Sequence, residues 1–292
     1  MSFLQQIADG ITSGSIYGAL ALALVLVYRS TGLVNFAQGQ MAVVSTYLAY
    51  TVVSLGLPII PAVLVAAVAS ALLGGLLERY LIRRFEGGSQ VITIIVTVAV
   101  LICLNGLIRL IWGAELKPFP SLFPTANLAI GPVFVTASDV GVVAALVVIV
   151  IALQLLFHRS RFGLAMRAVA ENPESSAQSG LPVGTLLMSG WALAAVVGAI
   201  AGCLVAPTIS LHPDMMDAVL VYALAAAVLG GLDSPLGAVF AAWVIGIAQN
   251  LAGTFIAAIG SDLQILVPML LMAVVLLVRP QGLFGRREVV RV

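Results

Sequence analysis

The residues of this chain that could do chemistry are few, and their spacing sorts them. Gly32-Leu33-Val34-Asn35-Phe36-Ala37-Gln38-Gly39-Gln40 sets three amides and a glycine at the entry to an otherwise apolar run. Amides placed in hydrocarbon must find hydrogen-bond partners, and Gly39 permits a helix break or a close helix approach. This pattern marks Asn35, Gln38, Gly39 and Gln40 as solute-pathway residues on a discontinuous helix; the alternative is amide glue between packed helices. Asn105 joins the same set. It stands four residues before Arg109, hence on one helix face with it. Arg109, an arginine within an apolar run, is a functional candidate; the alternative is that, near a helix end, it snorkels outward or pairs with a neighbouring helix.

Other chemistries lack their parts. Lys117 is the only lysine and precedes Pro118, so the G-x-x-x-x-G-K-[ST] phosphate loop is absent. Energy from ATP would therefore have to come from a separate polypeptide. His158 and His212 fall on opposite predicted sides of the membrane and cannot share a metal. No paired intramembrane carboxylates or Ser/Lys dyad stand out, which leaves an intramembrane hydrolase little support. The reading is of a non-enzyme with no catalytic residue, no metal and no cofactor of its own.

The elements that must position these groups are membrane helices. Hydrophobic residues make up 62% of the 292 positions, charged residues 9%, and mean hydropathy is +1.17. A soluble domain carries roughly 25% charged residues, and here the deficit runs along the whole chain. The expected fold class is all-α: one polytopic transmembrane helical bundle over residues 1–292. A span needs about 20 mainly apolar residues. Gly10–Tyr28, Gly32–Ser54, Leu57–Leu77, Val91–Ile108, Val140–Phe157 and Thr185–Pro207 qualify, with shorter or broken runs at Ala218–Leu232, Pro235–Ala257 and Leu263–Val278. That predicts eight or nine passes, some broken or re-entrant. Gly14, Ser15 and Gly18 read as helix-packing residues, and Cys103 and Cys203 as small core residues without a disulfide. Met1–Gly10 has no basic leader region, so no cleaved signal is expected.

Threading nine passes places Arg29, Arg79, Arg83, Arg84, Arg159, Arg161, Arg167, Arg279, Arg286, Arg287 and Arg291 on one side, against Lys117 and Arg109 on the other. Cytoplasmic loops collect Arg and Lys; the N-terminus is thus expected outside and the C-terminus in the cytoplasm of a plasma or inner membrane. Gly113–Ser138, rich in proline, reads as an irregular external cap. A net charge of +1 argues against a nucleic-acid partner. Gly230–Gly237 is either a tight turn or a re-entrant break.

The longest polar cytoplasmic stretch, within residues 158–184, carries explicit helix grammar. Asn172 suits an N-cap, Pro173 the first helical position, and Glu174 the first turn, where the helix dipole favours an anion. Gly180 can close the helix, and Pro182 prevents its continuation. A second short helical stretch precedes it around Leu164–Ala170. Two short projecting helices point to a docking element for a cytoplasmic partner; the alternative is an amphipathic interfacial loop.

Three stretches, GSIYGALALALVLVYRSTGLVNFAQGQ, RFGLAMRAVAENPESSAQSGLPV and AVLGGLDSPLGAVFAA, in this order and spacing, resemble the branched-chain amino-acid permease family of ABC importers. The resemblance covers essentially the whole chain. It implies a bacterial or archaeal permease subunit with two cytoplasmic ATPase subunits, a second permease subunit (a related chain or a second copy), an extracytoplasmic solute-binding protein, and membrane lipid around it. It also implies that Gly163, Arg167, Ala170, Glu171, Asn172, Pro173 and Glu174 belong to the ATPase-coupling segment, with ATP used on the partners. The family spans leucine, isoleucine and valine, and also other amino acids, amides and urea. It usually carries His where this chain has Gln38, so a role requiring imidazole does not carry over. The competing class is a self-contained secondary transporter or channel for a small polar solute. Such carriers place an ionisable group at midplane, whereas the acidic residues here fall at predicted ends and loops.

Overall fold

A computed structural model describes residues 3–85, 89–130, 133–256, 259–260 and 263–285. Of the described residues, 77% are helical. Its helices are α1 (Phe3–Thr31), α2 (Gln38–Ser54), α3 (Ile59–Tyr80), α4 (Gln90–Trp112), α5 (Ala137–Arg159), α6 (Arg161–Glu171), α7 (Pro173–Gln178), α8 (Val183–Ile209), α9 (Asp217–Gly230), α10 (Pro235–Phe255) and α11 (Leu266–Val278). Where an irregular cap was expected, β1 (Asn127–Ile130) and β2 (Val133–Thr136) form an antiparallel hairpin, Asn127 opposite Thr136. A reciprocal cap then starts α5: Thr136 Oγ1 accepts from the Asp139 amide, and Asp139 Oδ2 accepts from the Thr136 amide.

Among the described residues, six helices, α1, α3, α4, α5, α8 and α10, are long and apolar enough to cross a membrane, fewer than the eight or nine expected. The difference lies where polar or glycine-rich sequence interrupts the helix. Gly32, at φ +69°, ends α1. Asn35 Oδ1 then accepts from the Ala37 amide at 3.0 Å, a turn that delays α2 until Gln38. The run starting at Gly32 therefore yields a helix of 17 residues, while α9 and α11 have 14 and 13. At 1.5 Å per residue these span roughly 20–25 Å, short of a hydrocarbon core of about 30 Å.

The chain divides into two compact units. One comprises Met1–Val25, Phe123–Leu146 and Ala218–Val292. Here α1 lies against α10 through small residues: a Cβ at Gly10 would stand 2.6 Å from Ile247 Cα, and one at Gly14 would stand 2.6 Å from the Ala242 carbonyl. Ser15, expected to serve packing, accepts from Trp243 Nε1 at 2.9 Å. Gly230–Gly237 is a tight turn. Gly231, at φ +99°, reverses the chain, and Ser234 Oγ caps α10 by accepting from the Gly237 amide. The last carbonyls of α9, at Leu229 and Gly230, accept from the amides of Leu283 and Phe284, so the segment after α11 satisfies a helix end.

The other unit comprises Leu26–Leu122 and Val147–Asp217. Its core is α2, α3 and α8. Gly74 brings α3 to within 2.8 Å of the Trp191 carbonyl, measured to a Cβ built on it, and Gly202 brings α8 equally near the Ala42 carbonyl. Ser45 donates to Ser70 at 2.9 Å, and Ser70 donates to the Ala195 carbonyl at 2.9 Å, so one hydroxyl relay ties all three helices. Outer surfaces are apolar: Leu64, Val68, Leu72, Ile95 and Ile102 are exposed, as hydrocarbon-facing side chains should be. Cys203 is buried as expected; Cys103, expected in the core, lies on the exposed face of α4. Of the basic residues used for orientation, Arg286, Arg287 and Arg291 lie outside the described residues.

Candidate functional site

Two regions of the second unit hold the singled-out residues. The first joins α2 and α4 to the loop between α8 and α9. Asn35 and Gln38 are wholly buried. Asn35 Nδ2 donates to Gln38 Oε1 at 3.0 Å, and Gln38 Nε2 donates to the Ala194 carbonyl on α8 at 3.0 Å. This amide chain satisfies polar groups that would otherwise be stranded in an apolar core. Gly39 is buried in the first turn of α2. Gln40, one residue on, faces elsewhere: its Nε2 donates to the Pro213 carbonyl at 3.2 Å and lies 3.5 Å from Asp217 Oδ1.

Asn105 and Arg109 meet the same loop. Asn105 Nδ2 donates to Asp214 Oδ1 at 2.9 Å, and its Oδ1 accepts from Arg109 Nε at 2.8 Å. Arg109 Nη2 pairs with Asp214 Oδ2 at 2.5 Å. Arg109 thus pairs with a loop carboxylate rather than with a neighbouring helix; its side chain remains 43% exposed and that of Asp214 45%, so the pair is open to water. The Asn105 amide, and after it the Arg109 guanidinium, hold the Asp214 carboxyl below the usual carboxylate range, outweighing the upward push of burial. The loop is further fixed by paired backbone bonds between Lys117 and Leu211, each 2.9 Å, beside Ser210 at φ +65°. Sequence reasoning missed Asp214 and Asp217. Their cue was an i, i+3 carboxylate pair directly before an apolar run, read there as loop residues.

The second region is the segment 158–184. Ser160 Oγ accepts from the Gly163 amide at 2.9 Å and starts α6. A Cβ at Gly163 would lie 2.5 Å from Phe157 Cα, so only glycine allows α6 to fold back this tightly on the end of α5. Gly163, Met166 and Val169 form the buried face of α6. Asn172 ends α6 and caps α7, its Oδ1 accepting from the Ser175 amide at 2.9 Å; Pro173 takes the first helical position and Glu174 the first turn. Gly180 follows at φ +82°. Ala170, Glu171, Asn172, Pro173 and Glu174 are all exposed, and from 170 to 180 only Ser176 is buried. Arg167 is partly covered, with a buried Nε that makes no hydrogen bond. A short helix, exposed except at Ser176 and capped at both ends, presents a rigid polar surface of defined shape.

Also in this unit, Glu78 is fully buried and receives two hydrogen bonds from Arg83, at 2.9 Å (Nε) and 2.5 Å (Nη2). Arg83 also donates to the Gly184 carbonyl, which ties the end of α3 to the start of α8, directly after the α6–α7 segment. Among the described residues no cluster of His, Cys, Asp and Glu is placed to hold a metal ion.

Comparison with known proteins agrees with this layout. The family described as "Branched-chain amino acid transport system / permease component" matches residues 6–278. The chain is 28% identical over 305 residues to the high-affinity branched-chain amino acid transport system permease protein BraD of Pseudomonas aeruginosa, covering 99% of this chain and 98% of that one. It is equally similar, with the same coverage, to the permease protein LivH of Escherichia coli. It is 30% identical over 288 residues to a probable LivH permease of Methanocaldococcus jannaschii, covering 91% of this chain and 87% of that one. With six apolar helices of spanning length and a family match along nearly its whole length, the chain belongs to the branched-chain amino acid transport system permease family.

Proposed function

We propose that this chain is the membrane-spanning permease subunit of an ATP-binding-cassette importer for branched-chain or related amino acids. The solute arrives on an extracytoplasmic binding protein, and two separate cytoplasmic ATPases drive translocation. The chain works beside a second permease subunit, a related chain or a second copy, within a lipid bilayer of the plasma or inner membrane. The arginine distribution supports a cytoplasmic C-terminus and an external N-terminus. Residues 158–184 act as the coupling segment of the permease domain, with Gly163, Arg167 and Ala170–Glu174 at the ATPase. Asn35, Gln38, Gly39, Gln40 and Asn105 belong to the helices that shape the solute path.

One observation carries this reading beyond family membership: the capped helix α7 (Pro173–Gln178) lies in a run, 170–180, that is exposed except at Ser176, in a chain otherwise adapted to hydrocarbon. A connector would need only a short turn. Closure of the ATPases on ATP would move this rigid element, and the bonds Arg83 makes to Glu78 and Gly184 would carry that motion into α3 and α8. Affinity purification of the tagged chain from native membranes tests the assignment. A nucleotide-binding subunit should co-purify, and Glu171→Lys should release it while leaving the chain in the membrane. A Glu171→Lys chain that keeps its ATPase and its solute-stimulated hydrolysis would refute the docking role.

A further inference from the structure

The groups around residues 213–217 are unequally matched. Asp214 is neutralised by Arg109 and held by Asn105. Asp217, three residues later, has no ion pair among the described residues; its neighbour is the Gln40 amide, with Nε2 at 3.5 Å from Oδ1. Gln40 itself is 2% exposed, and its Oε1 is buried without a hydrogen-bond donor. A buried amide oxygen is normally satisfied, because stranding it costs free energy. The Pro213 carbonyl accepts from both Gln40 Nε2 at 3.2 Å and Asn105 Nδ2 at 3.4 Å, which leaves the exposed Asp217 carboxylate and the buried Gln40 Oε1 as the acceptors short of donors. What this arrangement lacks is a cation carrying several N–H donors. A primary ammonium supplies three. Nearby, the Arg109 guanidinium is already paired with Asp214 through Nη2 and with Asn105 through Nε, but it stays 43% exposed, so its remaining N–H donors can meet a carboxylate.

We propose that Asp217 and Gln40 form the ammonium-recognition site of the solute path, receiving a zwitterionic amino acid with its carboxylate toward Arg109. The inference rests on the importer reading above. It deepens that reading by selecting solutes with an α-ammonium over amides and urea, while leaving the side chain unread.

The test uses the complete importer, with its ATPases and binding protein, reconstituted in proteoliposomes with labelled L-leucine as probe. Wild-type uptake comes first: absence of ATP-dependent leucine uptake overturns the importer reading for amino acids, and this inference with it. With wild-type uptake established, Asp217→Asn keeps the shape and hydrogen bonding but removes the charge. It should lower maximal leucine uptake about 10-fold or more, as expected for losing a charge-assisted bond. The ATPase subunits should still co-purify in wild-type ratio, and Asp217→Glu should restore part of the rate. Equal uptake by Asp217→Asn and wild type overturns the assignment and leaves the importer reading standing. Loss of assembly in both variants also overturns it, since the carboxylate would then be structural.

Discussion

Replacing Asn172 by Ala removes the acceptor that closes the first turn of α7. That helix has six residues and buries only Ser176, so little tertiary packing holds it. Helices this short are marginal alone, and α7 depends on the Asn172 cap, Pro173 at its first position and the glycine turn after it. Loss of an N-cap costs about 1 kcal/mol, which shifts a folded–unfolded equilibrium by about five-fold. If docking needs the folded helix, solute-stimulated ATP hydrolysis by the reconstituted importer should fall by a similar factor. Membrane insertion should be unchanged, because Asn172 lies outside every spanning helix. Asn172→Ser, which can accept the same bond from the Ser175 amide, should retain most of the activity. Full coupling in Asn172→Ala would refute the role of α7. A defect in Asn172→Ser as severe as in Asn172→Ala would refute capping as the cause and point instead to a direct side-chain contact with the partner.

Three further outcomes follow from the geometry. Gly14→Leu should destabilise the first unit by about 2 kcal/mol or more, because even a Cβ there would stand 2.6 Å from the Ala242 carbonyl; a lowered melting temperature in detergent would show it, and an unchanged one would contradict the close approach of α1 and α10. Glu78→Gln should cost about 3 kcal/mol by unpairing a buried carboxylate–arginine bridge, whereas Glu78→Met with Arg83→Met should recover part of that loss in the same melting assay. The Asp214 carboxyl is held below its ordinary 3.8. A depressed group stabilises the fold above its unfolded value and loses that contribution only as pH falls through the folded one. Binding and uptake between pH 5 and 8, a window about one unit or more above that range, should therefore show no step attributable to Asp214; a step abolished by Asp214→Asn would contradict the pair.

What the sequence made legible was local. The order Asn172-Pro173-Glu174 with Gly180 specifies α7 because capping is decided by neighbours within a few residues. Apolar length likewise located five of the six helices of spanning length, since hydrocarbon demands an unbroken run, but it also counted Gly32–Ser54 and set Pro235–Ala257 among the broken runs. The interruption after Gly32 was only half legible: the amides announced a break, but its position depended on a turn made by Asn35. The loop site was the least legible part. Gln40 meets Asp217 across 177 positions, and Arg109 meets Asp214 across 105, so no spacing rule joins them. The complete burial of Glu78 goes with its bonds from Arg83, which also reaches the Gly184 carbonyl, a meeting that local pattern does not encode. The pairing of β1 with β2 was hidden in a proline-containing stretch whose alternation is only four residues per strand.

The central claim, that this chain is the conduit of an importer powered from outside itself, is tested most directly by transport into sealed proteoliposomes containing the chain with its permease partner, ATPases and binding protein. Uptake of L-leucine should require ATP on the ATPase side and binding protein on the other, and should persist when ion gradients are collapsed. Uptake that proceeds without ATP, or that stops when an ion gradient is dissipated while ATP remains, would contradict it.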